Sequence, residues 1–216
     1  ASGGVDLTII GGTAPYDPFW TFPNGDVQNS IDLINLLAGE YSCEIIDANL
    51  CTLNITTTVS EPTEIILVTS SVPVTCFGES DGQVGVVATG GTPGSTPTGY
   101  TYNWSEQYFS QNVIGLTQGL YTINVFDGEG CSASSSQIVT EPTQITTTFG
   151  FNNVSCNGLN DGVITANSTN GAHGGPYSYD WSNVGVNDAI NNGLVAGTYN
   201  LTITDISTTG NNCSET

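Results

Sequence analysis

The chain has 216 residues, with 20 Asp plus Glu, one His and no Lys or Arg, for a formal net charge of −20. With no cation to neutralise phosphates, nucleic acid is ruled out as a partner and an anionic membrane surface is disfavoured. There is also no run of about 18 apolar residues for membrane insertion. Divalent cations and neutral glycans remain open as partners, and 38% hydrophobic residues suffice for a buried core.

Only 9% of residues are charged, which is not the composition of a disordered acidic tail. Repulsion among exposed carboxylates is screened beyond about 8 Å at physiological salt, so a folded, self-repelling surface is tolerable. Proteases that cut after Lys or Arg have no site, which hints at life outside the cell. The chain starts "ASGGVDLTII", with no Met and no signal peptide, as though entered mid-domain, and reads as a segment of something longer.

Along the chain the pattern is β throughout: Thr, Val, Ile and Tyr alternate with polar residues, and Gly, Asn and Asp punctuate. In the first third, "VQNSIDLINLLAG" (27–39) is the best helix candidate. It aligns with "QNVIGLTQG" further on, so its end reads as strand and turn, with a short helical turn left open near 28–33. The middle third predicts strands near 65–76, 83–89, 99–105, 111–116, 120–127 and 131–140, with an extra edge near 107–109. The last third repeats the middle one and stops just after Cys213, short of a strand like 132–140.

Three stretches are copies of one another: 35–51, "NLLAGEYSCEIIDANLC"; 115–131, "GLTQGLYTINVFDGEGC"; and 193–213, "GLVAGTYNLTITDISTTGNNC". Gly39, Gly119 and Gly197 correspond, as do Tyr41, Tyr121 and Tyr199; Asp47, Asp127 and Asp205; and Cys51, Cys131 and Cys213. Upstream, Trp20, Trp104 and Trp181 match within "PYDPFW", "GYTYNW" and "PYSYDW". "TCFGESDG" (75–82) matches "SCNGLNDG" (155–162), and "SEPTEI" (60–65) matches "TEPTQI" (140–145). The step of about 80 residues is too long for a solenoid. It suits separate modules at 1–62, 63–142 and 143–216, the first truncated at its start and the third at its end. Windowing from a longer array explains this; neighbouring chains completing each other's ends is the alternative.

About seven short, turn-linked strands per module predict an all-β fold: tandem immunoglobulin-like β-sandwiches in an extended array. Leu-x-x-Gly-x-Tyr resembles a tyrosine corner, made by Tyr41, Tyr121 and Tyr199, while Trp20, Trp104 and Trp181 lie where a core aromatic of the third strand belongs.

Cys76 with Cys131, and Cys156 with Cys213, bracket the second and third modules. Bridging each pair would close a loop of about 55 residues, worth roughly 4 kcal/mol, and implies an oxidising compartment; buried free thiols and, more remotely, zinc are the alternatives. In the first module Cys43 takes the core slot of Ile123 and Leu201. Pairing Asp47 with Leu50 would place Cys43 opposite Asn54, so a Cys43–Cys51 bridge needs a shifted register, and a buried free Cys43 is the other reading.

Candidate sites are few. Asp81 and Asp161, with Glu79, Asp127 and Asp205, are calcium candidates, set against the hairpin-turn chemistry of Asp-Gly. Tyr108 and Phe109 could stack on sugars or simply pack an edge strand. His173 sits among glycines with no equivalent in the other modules, and no nucleophile–base pair recurs, so no enzyme and no catalytic residue is expected. Six Asn-x-Ser/Thr sequons, at Asn54, Asn103, Asn153, Asn167, Asn200 and Asn212, matter only where Asn is glycosylated.

Taken together, Cys-x-Gly-x-x-Asp-Gly, Tyr-x-Trp, Leu-x-x-Gly-x-Tyr and the closing Cys resemble the SprB-type repeat of large Bacteroidetes surface proteins. That resemblance implies an exported, adhesin-like protein at the cell surface, associated with type IX secretion and gliding motility, and brings no catalytic residues. The expected role is a structural and adhesive stalk or filament, its partners being neighbouring repeats, other copies and surface glycans. The alternative is an array of carbohydrate-binding modules, which requires exposed, coplanar aromatics.

Overall fold

A computed structural model describes residues 3–182, 187–207 and 210–216. The chain divides into two compact units, Ala1–Glu64 and Ile65–Thr216.

The first unit contains β1 (Gly3–Val5), β2 (Asp17–Thr21), β3 (Val27–Asn29), β4 (Leu33–Leu36), β5 (Gly39–Ile46) and β6 (Thr52–Val59). They form a four-stranded sheet in the order β3-β2-β5-β6 and a pair β1-β4, all antiparallel. Alternation along β5 turns Tyr41, Cys43 and Ile45 inward, where they pack with Trp20, Leu33 and Leu36. The helical turn left open near 28–33 is not formed: residues 27–29 are strand and β4 begins at Leu33.

The second unit repeats one topology twice. Its first half has β7 (Ile66–Val72), β8 (Gly82–Thr89), β9 (Thr101–Trp104), β10 (Asn112–Leu116), β11 (Gly119–Phe126) and β12 (Ser132–Val139). Its second half has β13 (Thr146–Asn152), β14 (Gly162–Thr169), β15 (Tyr177–Trp181), β16 (Ile190–Leu194), β17 (Leu201–Asp205) and β18 (Cys213–Glu215). Each half makes two three-stranded antiparallel sheets, β10-β8-β7 and β12-β11-β9, then β13-β14-β16 and β15-β17-β18. First, second and fourth strands in one sheet against third, fifth and sixth in the other is an immunoglobulin-like division. The fold is therefore all-β, built of immunoglobulin-like sandwiches, with six strands per module among the described residues of this unit rather than about seven. The extra edge expected near 107–109 is not a strand; residues 105–107 make a 3₁₀ turn, and Gln107, at φ 67°, reverses the chain there.

Each sandwich has its own core. In the first half of the second unit, Val84, Trp104, Leu116, Ile123 and Val125 are buried together with Val139; in the second half, Ala166, Trp181, Leu201 and Ile203 cluster with Ile145.

Candidate functional site

The three tyrosines of the Leu-x-x-Gly-x-Tyr motif make the same bond. The hydroxyls of Tyr41, Tyr121 and Tyr199 donate to the carbonyls of Leu37, Thr117 and Val195, at 2.8, 3.0 and 2.8 Å. The tryptophans are equally uniform. Trp20, Trp104 and Trp181 are at most 3% exposed, and their indole N–H groups donate to Ser30, Ser110 and Asp188 carbonyls. Each pairs with the inward residue of the next strand in its sheet: Trp20 with Cys43, Trp104 with Ile123, Trp181 with Leu201. Buried tryptophans offer sugars no flat exposed platform. Of the other aromatics considered, Tyr108 packs against the core and Phe109 is 68% exposed.

The aspartate after each tyrosine strand does more than start a turn, a role the linear motif did not reveal. Asp127 Oδ1 accepts from the N–H groups of Glu129 and Cys131, and Oδ2 from Thr92. Asp47 does the same with Asn49, Cys51 and Thr13. Asp205 instead accepts from His173, Gly174 and Gly175. Each carboxylate thus ties the closing turn or the tyrosine strand to the glycine-rich loop, and this explains one glycine in each loop. A Cβ on Gly91, which has φ +63°, would sit 2.7 Å from Asp127 Oδ2; one on Gly171, at φ +92°, 2.5 Å from Asp205 Oδ2.

The calcium candidates Asp81 and Asp161 spend their oxygens locally. Asp81 accepts from the Thr75 amide and hydroxyl, and Asp161 from those of Ser155. Among the described residues no three His, Cys, Asp or Glu side chains converge on a cation position. His173 Nε2 lies 3.2 Å from the Asn211 carbonyl, with no nucleophile presented to it by these contacts.

Hydrogen bonds received by the ionised form hold four of these carboxyls below the usual carboxylate range. The leading donors are the Cys51 amide for Asp47, the Thr75 hydroxyl for Asp81, the Thr92 amide for Asp127 and the Ser155 hydroxyl for Asp161. Depressed carboxyls contribute stability that is full above the unfolded pKa of about 4 and is lost as pH falls through the lower folded values. Relief of repulsion as the acidic chain is protonated acts the other way, so the comparison is made at high salt. The melting temperature is expected to fall below pH 4, and the Asp127→Asn variant to show a shallower fall. Parallel profiles for the two proteins would contradict the assignment.

The cysteines depart from expectation. Cys76 is bonded to Cys213, 137 residues away, while Cys43, Cys51, Cys131 and Cys156 are free thiols. The expected pairs Cys76–Cys131 and Cys156–Cys213 are therefore not formed. Gln137 bonds both Thr69 and Ser71, and the Val74 N–H donates to the Thr140 carbonyl, so β7 and β12 run in the same direction. Cys76 follows the end of β7, whereas Cys131 precedes the start of β12. The length of β12 separates them by about 30 Å, far beyond the roughly 7 Å limit on Cα separation for a disulfide. Cys213 lies opposite Asp205 at the turn end of the last sandwich and reaches the opening loop of the one before it. The bond staples two sandwiches together.

In the first unit the Asp47 N–H donates to the Cys51 carbonyl, so the hairpin register is one residue on from the Asp47–Leu50 pairing. Cys43 lies opposite Ile55, not Asn54. Cys51 is four strand positions away, about 13 Å, so no Cys43–Cys51 bridge forms. Cys43 is 1% exposed, and burial pushes its thiol pKa up, which makes it unreactive. Alkylation of the unreduced protein should modify four thiols in denaturant and three in the native state, sparing Cys43. Within-module bridges would leave two thiols in denaturant, so mass spectrometry separates the two patterns.

An open groove of about 660 Å³ lies in the last sandwich, lined by Phe149, Phe151, Val154, Gly162, Trp181 and Tyr199 among others. It is apolar and holds no converging polar constellation of the kind a reaction needs. The fold defines a class: immunoglobulin-like β-sandwiches in tandem.

The family model described as SprB repeat matches residues 68–107 and 148–186, and the motif resemblance and the family model thus agree on these two stretches. SprB repeats occur in cell-surface proteins. No curated protein matches the chain. Among solved structures, one described as "Structure of amphioxus IgVJ-C2 molecule" aligns at 14% identity and a TM-score of 0.29, covering 64% of this chain and 96% of that one. No helix among the described residues is long and apolar enough to cross a membrane.

Proposed function

We propose that the chain is a segment of an extended, repetitive stalk or filament outside the cell, divided into modules at 1–62, 63–142 and 143–216, whose work is mechanical and adhesive. The observation that carries this reading is the Cys76–Cys213 bond, which joins the opening loop of one sandwich to the closing turn of the next. Cys156 stands in an opening loop like that of Cys76: the amides of Glu79 and Leu159 donate to the carbonyls of Cys76 and Cys156 at the same distance, 3.2 Å. Cys51 and Cys131 lie opposite their aspartates as Cys213 does. A series of such staples, from each opening cysteine to the closing cysteine of the following module, stiffens a string of beads against bending and extension. An oxidising exterior sustains it, and the unbroken negative charge keeps neighbouring fibres apart.

Electron microscopy of the native material tests the reading. Thin surface fibres with an axial period of a few nanometres, labelled on intact cells by antibody against this chain and made more flexible by reductant, are expected. Labelling only after cell lysis would overturn it.

A further inference from the structure

Two motifs that the chain repeats take no part in the cores: the opening loop "TCFGESDG" and the linker "TEPTQI". In the second unit they meet around Cys76. Asp81 accepts from the amide and hydroxyl of Thr75, the residue before that cysteine. The linker takes hold two residues to either side of Cys76. The Thr140 carbonyl accepts from the Val74 amide at 2.9 Å, and the Glu141 carboxylate from the Gly78 amide at 3.0 Å. Past Pro142 the same linker turns to the other cysteine. Gln144 Nε2 donates to the carboxylate of Glu215, two residues beyond Cys213, at 3.2 Å. The Thr143 hydroxyl donates at 3.4 Å to the carbonyl of Gly171, which packs on Asp205, the residue opposite Cys213.

We propose that Glu141 is a positioning residue for the bond between modules: its carboxylate fixes the opening loop so that Cys76 meets Cys213 and not one of the four free cysteines. A thiol on an unrestrained loop samples many directions. Fixing the loop beforehand removes that cost and raises the effective concentration of one thiol at the other. A carboxylate accepting from a backbone amide makes a charge-assisted bond, stronger than a neutral one. With oxidised glutathione as the oxidant, its S–S bond breaks and the Cys76–Cys213 bond forms. The two thiol protons end on two molecules of reduced glutathione. The inference rests on the Cys76–Cys213 bond, not on a place in a surface fibre.

The whole chain is reduced, equilibrated with oxidised and reduced glutathione, quenched by alkylation, cut at acidic residues and mapped by mass spectrometry. The unsubstituted protein should accumulate the Cys76–Cys213 pair. Glu141→Ala should lower the effective concentration of Cys213 at Cys76 about tenfold, as expected for losing one hydrogen bond to a charged acceptor. Cys76 should then be found joined to glutathione. Glu141→Gln, whose side-chain oxygen still accepts from Gly78, should restore most of the loss. Glu141→Leu, which only fills the space, should not. Glu40→Ala, on the exposed face of β5, should match the unsubstituted protein. Glu141→Ala indistinguishable from the unsubstituted protein, or Glu141→Gln no better than Glu141→Leu, would overturn the role of Glu141 and leave the staple standing. Pairing of Cys76 with another cysteine in the unsubstituted protein would overturn both.

Discussion

Pulled from its two ends, the oxidised protein is expected to extend by only part of its contour length, and reduction should release about 450–490 Å more. The figure follows from the 137-residue separation of Cys76 and Cys213 at roughly 3.3–3.6 Å per extended residue. With the bond in place, tension passes from Cys76 directly to Cys213. Everything from β8 to β17 lies inside the loop and bears none of it, while β7 lies outside and can peel away. Within-module bridges would give a different trace, two hidden segments of about 55 residues, each roughly 180–200 Å. Single-molecule extension with and without reductant distinguishes the two. Equal lengths in both conditions would remove the staple and, with it, the main support for a mechanical role.

The largest single-residue effect is expected at Trp104. It is 1% exposed, packs opposite Ile123 and bonds the Ser110 carbonyl. Trp104→Ala removes that bond and leaves a cavity, at a cost of about 3–5 kcal/mol. Small domains have about 5–15 kcal/mol in all, so this sandwich should unfold partly or fully under conditions where its neighbours persist. Trp104→Phe fills much of the volume and should cost less. Denaturant unfolding followed by circular dichroism, with the adjoining sandwich as internal control, measures both. A loss under 1 kcal/mol for the alanine variant would mean the side chain is not a core element, and the exposed-aromatic reading of the module would return.

Much of the fold was legible because it rests on local rules. Period-two alternation in "YTINVFD" and "YNLTITD" determined strands with one buried face. Leu-x-x-Gly-x-Tyr placed a tyrosine within reach of a carbonyl four residues back, a contact whose partners are neighbours in sequence. Recurrence at about 80 residues identified equivalent core slots, down to Cys43 standing where Ile123 and Leu201 stand. The 3₁₀ turn at 105–107 was not legible, because a single residue at positive φ redirected a segment with strand composition.

What the sequence by itself determined is the module: its β character, its aromatic and tyrosine anchors, and its resemblance to a repeat family over two stretches. Only the tertiary structure decided which cysteines meet and which loop each aspartate grips. The reason is direction. Two strands that flank one core can run the same way or opposite ways, and linear spacing does not say which. The parallel run of β7 and β12 puts Cys76 and Cys131 at opposite ends of one sandwich, and so turns a bond within a module into a bond between modules.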